Sequence, residues 1–120
     1  MVKAKRPARR AYIPERGDTV WLAFDPQTGH EQAGKRPAVV LSPRAYNAKV
    51  GLALVCPITT RIKGYPFEVA LPAGISLGGA ILSDQVRSLD WRMRKATRIG
   101  KLPAAIIEQV VARVELLLRG

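Results

Sequence analysis

The chain contains one cysteine, Cys56, and one histidine, His30, in 120 residues. A lone thiol closes no internal disulfide, which excludes a disulfide-stapled secreted scaffold. Protein zinc sites are built largely from Cys and His, so here most ligands would have to be scattered carboxylates; no metal centre is expected, and no cofactor. Long hydrophobic runs are missing too. The longest are short, such as Leu52 to Cys56, against the ~20 apolar residues a membrane span requires. The basic N-terminus is followed by Tyr12-Ile13-Pro14-Glu15 and not by the apolar stretch of a signal peptide, so a cytoplasmic protein is expected. Acidic residues are the last shortage: 9 against 20 basic ones, a net charge of +11 and a pI near 10.7. That excess calls for a polyanionic partner, meaning nucleic acid or an acidic protein or membrane surface, and says nothing about fold.

What is present fits one domain. Hydrophobic residues make up 48% of the chain, an ordinary globular share that rules out wholesale disorder. So short a chain buries a modest fraction of its unfolded surface, and a second chain sharing the core would help it. Residues 1–16 hold six basic residues and one acid and are expected to form a flexible basic arm, either a solvated tail or a weak attractor of phosphates. Residues 17–120 form the domain. Within it, short runs rich in β-branched and aromatic residues, separated by Gly and Pro, predict strands over 19–24, 37–42, 52–58, 67–71, 80–83 and 85–91. Phe67, Val69 and Leu71 alternate with Glu68 and Ala70 as in a half-buried antiparallel strand. Asp25 to Gly29 and Pro72-Ala73-Gly74 carry turn chemistry. With no long helical stretch between strands, parallel winding is disfavoured and a small antiparallel barrel is expected.

The period changes at the C-terminus. Pro103 suits a first helical turn, and Ile107, Val110, Val111, Val114, Leu117 and Leu118 then recur at helical spacing. One amphipathic helix of about 16 residues must dock its stripe on the barrel or on a partner chain. The class is mainly β with a C-terminal α-helix.

Polar residues concentrate in three stretches: Gly29-His30-Glu31-Gln32-Ala33-Gly34-Lys35-Arg36-Pro37, Cys56-Pro57-Ile58-Thr59-Thr60-Arg61-Ile62-Lys63-Gly64-Tyr65-Pro66, and Ser83-Asp84-Gln85-Val86-Arg87-Ser88-Leu89-Asp90-Trp91. Arg16-Gly17-Asp18, Phe24-Asp25-Pro26, Gly29, Glu31-Gln32-Ala33-Gly34, Arg36-Pro37-Ala38-Val39-Val40-Leu41-Ser42, Pro57, Thr59-Thr60, Lys63-Gly64-Tyr65-Pro66-Phe67-Glu68-Val69 and Asp84-Gln85-Val86 form one ordered series. That series closely resembles the MazF (PemK-like) toxins, endoribonucleases of toxin–antitoxin pairs, from about Arg16 to the C-terminal helix. The resemblance implies a small SH3-like or CcdB-like barrel with a C-terminal helix, built as a homodimer. It also implies metal-independent cleavage of single-stranded RNA at a short sequence, with the ribose 2′-hydroxyl attacking the adjacent phosphorus to leave a 2′,3′-cyclic phosphate and a 5′-hydroxyl.

The same resemblance assigns roles. Arg36 matches the family's catalytic arginine and Thr59 its catalytic threonine, while Glu31 matches the acidic residue of the same loop, a base or an orienter of Arg36. A guanidinium and a hydroxyl are phosphate-oxygen donors, and a guanidinium holds its proton too tightly to be a ready acid, which makes Arg36 an electrostatic stabiliser first. Gln32, Thr60, Lys63, Tyr65 and Gln85 are candidate RNA contacts by position. Tyr65, between Gly64 and Pro66, is the aromatic suited to base stacking, whereas Trp21 and Trp91 are expected in the core. His30 stands where the family often has serine, and its role is left open. Cys56 reads as a buried, inert thiol. Arg92, Arg94, Lys95, Arg98 and Lys101 give either a solvated hairpin or an electrostatic track for RNA or an acidic antitoxin tail. The expected partners are single-stranded RNA, a MazE-like antitoxin with an acidic C-terminal segment, and a second copy of the chain; operator DNA would be met only through the antitoxin complex. The competing reading is a non-enzymatic toxin of the same fold that poisons DNA gyrase, or a plain RNA-binding barrel.

Overall fold

Strand alternation decides the architecture. The computed structural model describes residues 11–23 and 34–120, so the turn expected at Asp25 to Gly29 lies outside the described residues. In chain order come β1 (Asp18–Ala23), β2 (Lys35–Val40), α1 (Arg44–Val50), β3 (Leu52–Thr59), β4 (Glu68–Ala70), β5 (Ala80–Leu82), a 3₁₀ turn (Ser83–Gln85), β6 (Arg87–Asp90), β7 (Thr97–Lys101) and α2 (Ala104–Arg119). All strand pairs are antiparallel, in the order β4-β5-β3-β2-β1-β7, with β6 also on β3. The eight-residue β3 is the hub. Its edge opposite β2 is shared: β6 pairs with Leu52 to Val55 and β5 with Ile58 and Thr59. Two strands following one another along a single edge bend the sheet into a barrel-like form.

Each face of the bent sheet carries its own core, and neighbouring residues of one strand serve opposite cores. On β2, Val39 belongs to the cluster with Cys56, Ile58, Val69, Ile81 and α2, whereas Ala38 and Val40 belong to the cluster with Val20, Leu22, Val55, Leu89 and Trp91. The register matches: Val39 opposes Cys56, and Val40 opposes Val55. Helix α2 starts after Pro103, ends at Gly120 and buries Ile107 and Val110 against the first cluster. Val111 and Val114 are packed at its margin, while Leu117 and Leu118, of the same predicted stripe, stay exposed together with Leu116. Ile81 is fully buried, and Ile81→Ala is expected to cost about 2–5 kcal/mol, seen as a lower urea midpoint with an unchanged slope.

Four expectations need correction. Residues 12–16, expected within the basic arm, are held by the fold: Tyr12 and Ile13 pack on the second core, Pro14 is fully buried, and Arg16 Nε donates to the Leu41 carbonyl at 2.7 Å. Apolar residues at 12–14 anchor the segment that charge alone marked as solvated. Trp21 is not a core residue; it is 37% exposed, because Val20 and Leu22 take the buried side of β1 and turn it to the other face, beside Pro37 and Thr97. Trp91 is buried as expected, its indole N–H donating to the Asn47 carbonyl at 3.0 Å. Helix α1 was not foreseen. It is built around the fully buried Asn47, whose amide donates to the carbonyls of Pro14 (2.8 Å) and Ser42 (3.0 Å).

The basic stretch 92–101 keeps most of its cations exposed but is not a hairpin, since β7 pairs with β1 and β6 with β3. After a turn over 91–95, residues 97–101 form β7 against β1, and most of its cations are engaged. Arg92 lies 4.8 Å over the Trp91 ring, Arg94 donates to the Ala23 carbonyl, and Arg98 and Lys101 pair with the buried Asp18. Asp18 also accepts from the Tyr12 hydroxyl and the Glu15 N–H. Burial, then this hydrogen bond, pushes the Tyr12 phenol far above its ordinary range.

Candidate active site

Leu22, Ala38, Val55 and Leu89, all of the second core, reach one open end of the sheet and form the floor of a groove of about 200 Å³. Its polar rim is Arg36 on β2, Thr59 at the end of β3, Gln85 in the 3₁₀ turn and Arg87 on β6. The register explains the meeting. Ala38 opposes Pro57, so two residues further on Arg36 faces Thr59 across the β2–β3 pair. On the other side Val55 opposes Arg87, and the same pairing continued brings Gln85 beside Pro57.

A second groove of about 150 Å³ continues the first, sharing Thr59, Leu82 and Gln85 and adding Arg61, Lys63, Tyr65 and Glu68. The Glu68 carboxylate shapes its loop by accepting the N–H groups of Lys63 (2.9 Å) and Gly64 (2.7 Å). Gly64 has a φ of +83°, which its missing side chain permits and which turns two successive N–H groups toward one carboxylate. Arg113 of α2 donates to the Pro66 carbonyl at 2.9 Å, tying the loop to the helix. Thr59 Oγ1 accepts the Arg61 N–H at 3.0 Å. With that lone pair used, the hydroxyl proton is left to donate elsewhere. The result is an apolar-floored channel with four cations on its rim, suited to a strand of phosphates with unpaired bases.

Residues 15–118 match the family described as PemK-like, MazF-like toxin of type II toxin–antitoxin system. The chain belongs to that family. It is 49% identical to the endoribonuclease toxin MazF of Escherichia coli K12 over 107 residues, 89% of this chain and 96% of that protein. It is 40% identical to the endoribonuclease toxin ChpB of the same strain, over 84% of this chain and 90% of that one. Among solved structures, MazF from Deinococcus radiodurans superposes with a TM-score of 0.82 at 51% identity, covering 92% of this chain and all of that one. A MazE–MazF complex from the same organism gives 0.81 at 46% identity, over 90% and 97%. The chain is therefore an endoribonuclease toxin with the expected fold.

In this MazF-like toxin the structure brings Arg36, Thr59 and Gln85 into one groove and Lys63 and Tyr65 into its continuation. Thr60 is exposed just past the end of β3 and lines neither. His30, Glu31 and Gln32 lie outside the described residues. The Tyr65 hydroxyl donates to Asp84 Oδ1 at 2.8 Å, and this hydrogen bond to a carboxylate is the main reason its pKa is pushed up to about 12. The hydrogen bond holds the ring at one edge of the channel. Cys56 is inert: burial, then the charge of Asp84, pushes its thiol up to about 12. Two rim cations, Arg61 and Arg87, were not among the expected contacts. Arg87 could have been found by alternation, since it precedes the buried Leu89 by two residues and so shares its side of β6.

Proposed function

We propose that this toxin cleaves single-stranded mRNA at a short sequence by transesterification, with the nucleophile supplied by the substrate. The 2′-oxygen forms a bond to phosphorus and gives up its proton, while the P–O5′ bond breaks and O5′ takes a proton, leaving a 2′,3′-cyclic phosphate and a 5′-hydroxyl. Such a reaction asks of the protein a base, a proton donor and charge stabilisation on the phosphorane. The observation that carries this reading is that Arg36 and Thr59 line one groove. Arg36 donates to the phosphorane oxygens, Thr59 adds a hydroxyl donor, and Glu31 is the base or the orienter of Arg36. Gln32, Thr60, Lys63, Tyr65 and Gln85 hold the strand, with the added cations Arg61 and Arg87.

The functional unit in this proposal is a homodimer, which the exposed Leu116, Leu117 and Leu118 on α2 support. Its inhibitor is a MazE-like antitoxin whose acidic segment complements the basic rim; a MazE–MazF complex is known for the Deinococcus relative. Operator DNA would be met only through that complex. The substrate places the toxin in the cytoplasm, and among the described residues no helix is long and apolar enough to cross a membrane. Incubation of the purified toxin with a long transcript in EDTA is expected to give discrete fragments at an undiminished rate, with 5′-hydroxyl ends whose sequencing maps the cut site. Loss of cleavage in EDTA, or 5′-phosphate ends, would refute the mechanism. Failure to cut any RNA together with tight gyrase binding would favour the non-enzymatic reading.

A further inference from the structure

Gly79 immediately precedes β5 and has a φ of +115°, a conformation L side chains rarely adopt. A Cβ there would lie 2.0 Å from the Thr59 carbonyl oxygen, 2.9 Å from its carbonyl carbon and 3.1 Å from the Cα of Thr60. All three are backbone atoms, so no change of rotamer relieves the contact; either the end of β3 moves or residue 79 does. Residue 79 is pinned from the far side. Its carbonyl accepts the Leu71 N–H at 3.0 Å, and the next residue, Ala80, is buried and paired with Thr59. The chain supplies its own controls. Gly74 has a φ of +90° with nothing within 4 Å of its would-be Cβ, and Gly78 has open space without a positive φ.

We propose that Gly79 is a positioning residue for RNA cleavage. Its missing side chain sets where the Thr59 backbone lies at the groove rim, and the Arg61 N–H then fixes how the Thr59 hydroxyl is turned. The inference rests on the reading of Thr59 as a group that acts on the reacting phosphate. A side chain at 79 would shift that donor while Arg36 and Arg87, carried on β2 and β6, still hold RNA. The loss therefore falls on turnover and spares binding.

The test uses the purified toxin and an oligonucleotide spanning the mapped cut site, with its 2′-deoxy counterpart as a binding probe. Since a misplacement of about 1 Å can cost ~10²-fold, Gly79→Ala is expected to lower kcat by roughly that factor, with KM and the Kd of the deoxy probe within about threefold. Gly74→Ala, with the backbone strain alone, and Gly78→Ala, with neither strain nor contact, are expected to keep kcat within about threefold. In a Thr59→Ala background, Gly79→Ala is expected to cost nothing further, because both act through one hydroxyl. A Gly79→Ala enzyme with near-normal kcat, an equal loss in Gly74→Ala, or an undiminished loss in the Thr59→Ala background would overturn the positioning role. A fully active Thr59→Ala enzyme would instead overturn the reading of Thr59 beneath it. If Gly79→Ala is insoluble, Arg61→Pro read against Arg61→Ala decides: both lose the guanidinium, and only the proline loses the N–H that turns the Thr59 hydroxyl. Arg61→Pro is expected to have a kcat about fivefold or more below that of Arg61→Ala at a similar KM, and equal kcat values would overturn the proposal.

Discussion

Arg36→Ala is expected to lose about 10²–10³ in cleavage rate, roughly 2.7–4 kcal/mol of transition-state stabilisation, the usual cost of removing one preorganised donor from a site where charge develops. Thr59→Ala is expected to lose a comparable amount. Both side chains stand at the rim of the groove and outside both hydrophobic clusters, so thermal unfolding of either variant should stay close to that of the parent. The measurement is the initial rate on a mapped substrate at saturating and subsaturating concentration. If Arg36 acts on the phosphorane, kcat falls with kcat/KM; if it only grips the strand, KM alone rises. An Arg36→Ala enzyme within tenfold of the parent rate would remove Arg36 from the chemistry.

A larger effect is expected from changing the substrate. One 2′-deoxy sugar on the 5′ side of the scissile phosphate removes the attacking oxygen and leaves every phosphate and base in place. Phosphate contacts supply much of the affinity for nucleic acid, and the rim cations Arg36, Arg61, Lys63 and Arg87 are untouched. Such an oligonucleotide is expected to bind nearly as well as all-RNA, to resist cleavage at that phosphate altogether, and to inhibit competitively. Cutting at the deoxy position would mean that water or a protein group attacks phosphorus.

The six strands expected from sequence are there because short apolar runs, most of them with β-branched residues and bounded by Gly or Pro, are too short for helices, and α2 because its stripe keeps helical period from Ile107 to Leu118. Helix α1 was invisible: seven residues, Arg44 to Val50, carry no apolar stripe, and what holds them is one buried amide, Asn47, bonded to partners as far as 33 positions away. Strand β7 was hidden by its own composition. Thr97-Arg98-Ile99-Gly100-Lys101 has one large apolar residue, and it is a strand because Asp18 on β1 waits for its cations. For the site, Arg36, Thr59, Lys63, Tyr65 and Gln85 were named by an ordered motif series and not by chemistry visible in any one of them. Gly79 carried no signal at all, since the reason for a glycine there is the carbonyl of Thr59, 20 positions earlier in the chain.

The hub position of β3 also sets how late in the chain the groove is completed. The groove takes its walls from β2, β3, the 3₁₀ turn and β6, and the core beneath β3 closes only with Ile107 and Val110 near the end of the chain. Non-local pairings of this kind form late, and a domain generally folds as a unit once its whole sequence is available. A ribosome-bound nascent chain lacking α2 thus holds Arg36 and Thr59 but not the closed core that keeps them face to face. The groove is therefore completed after the residues that line it have been made, and the order of synthesis differs from the order of folding.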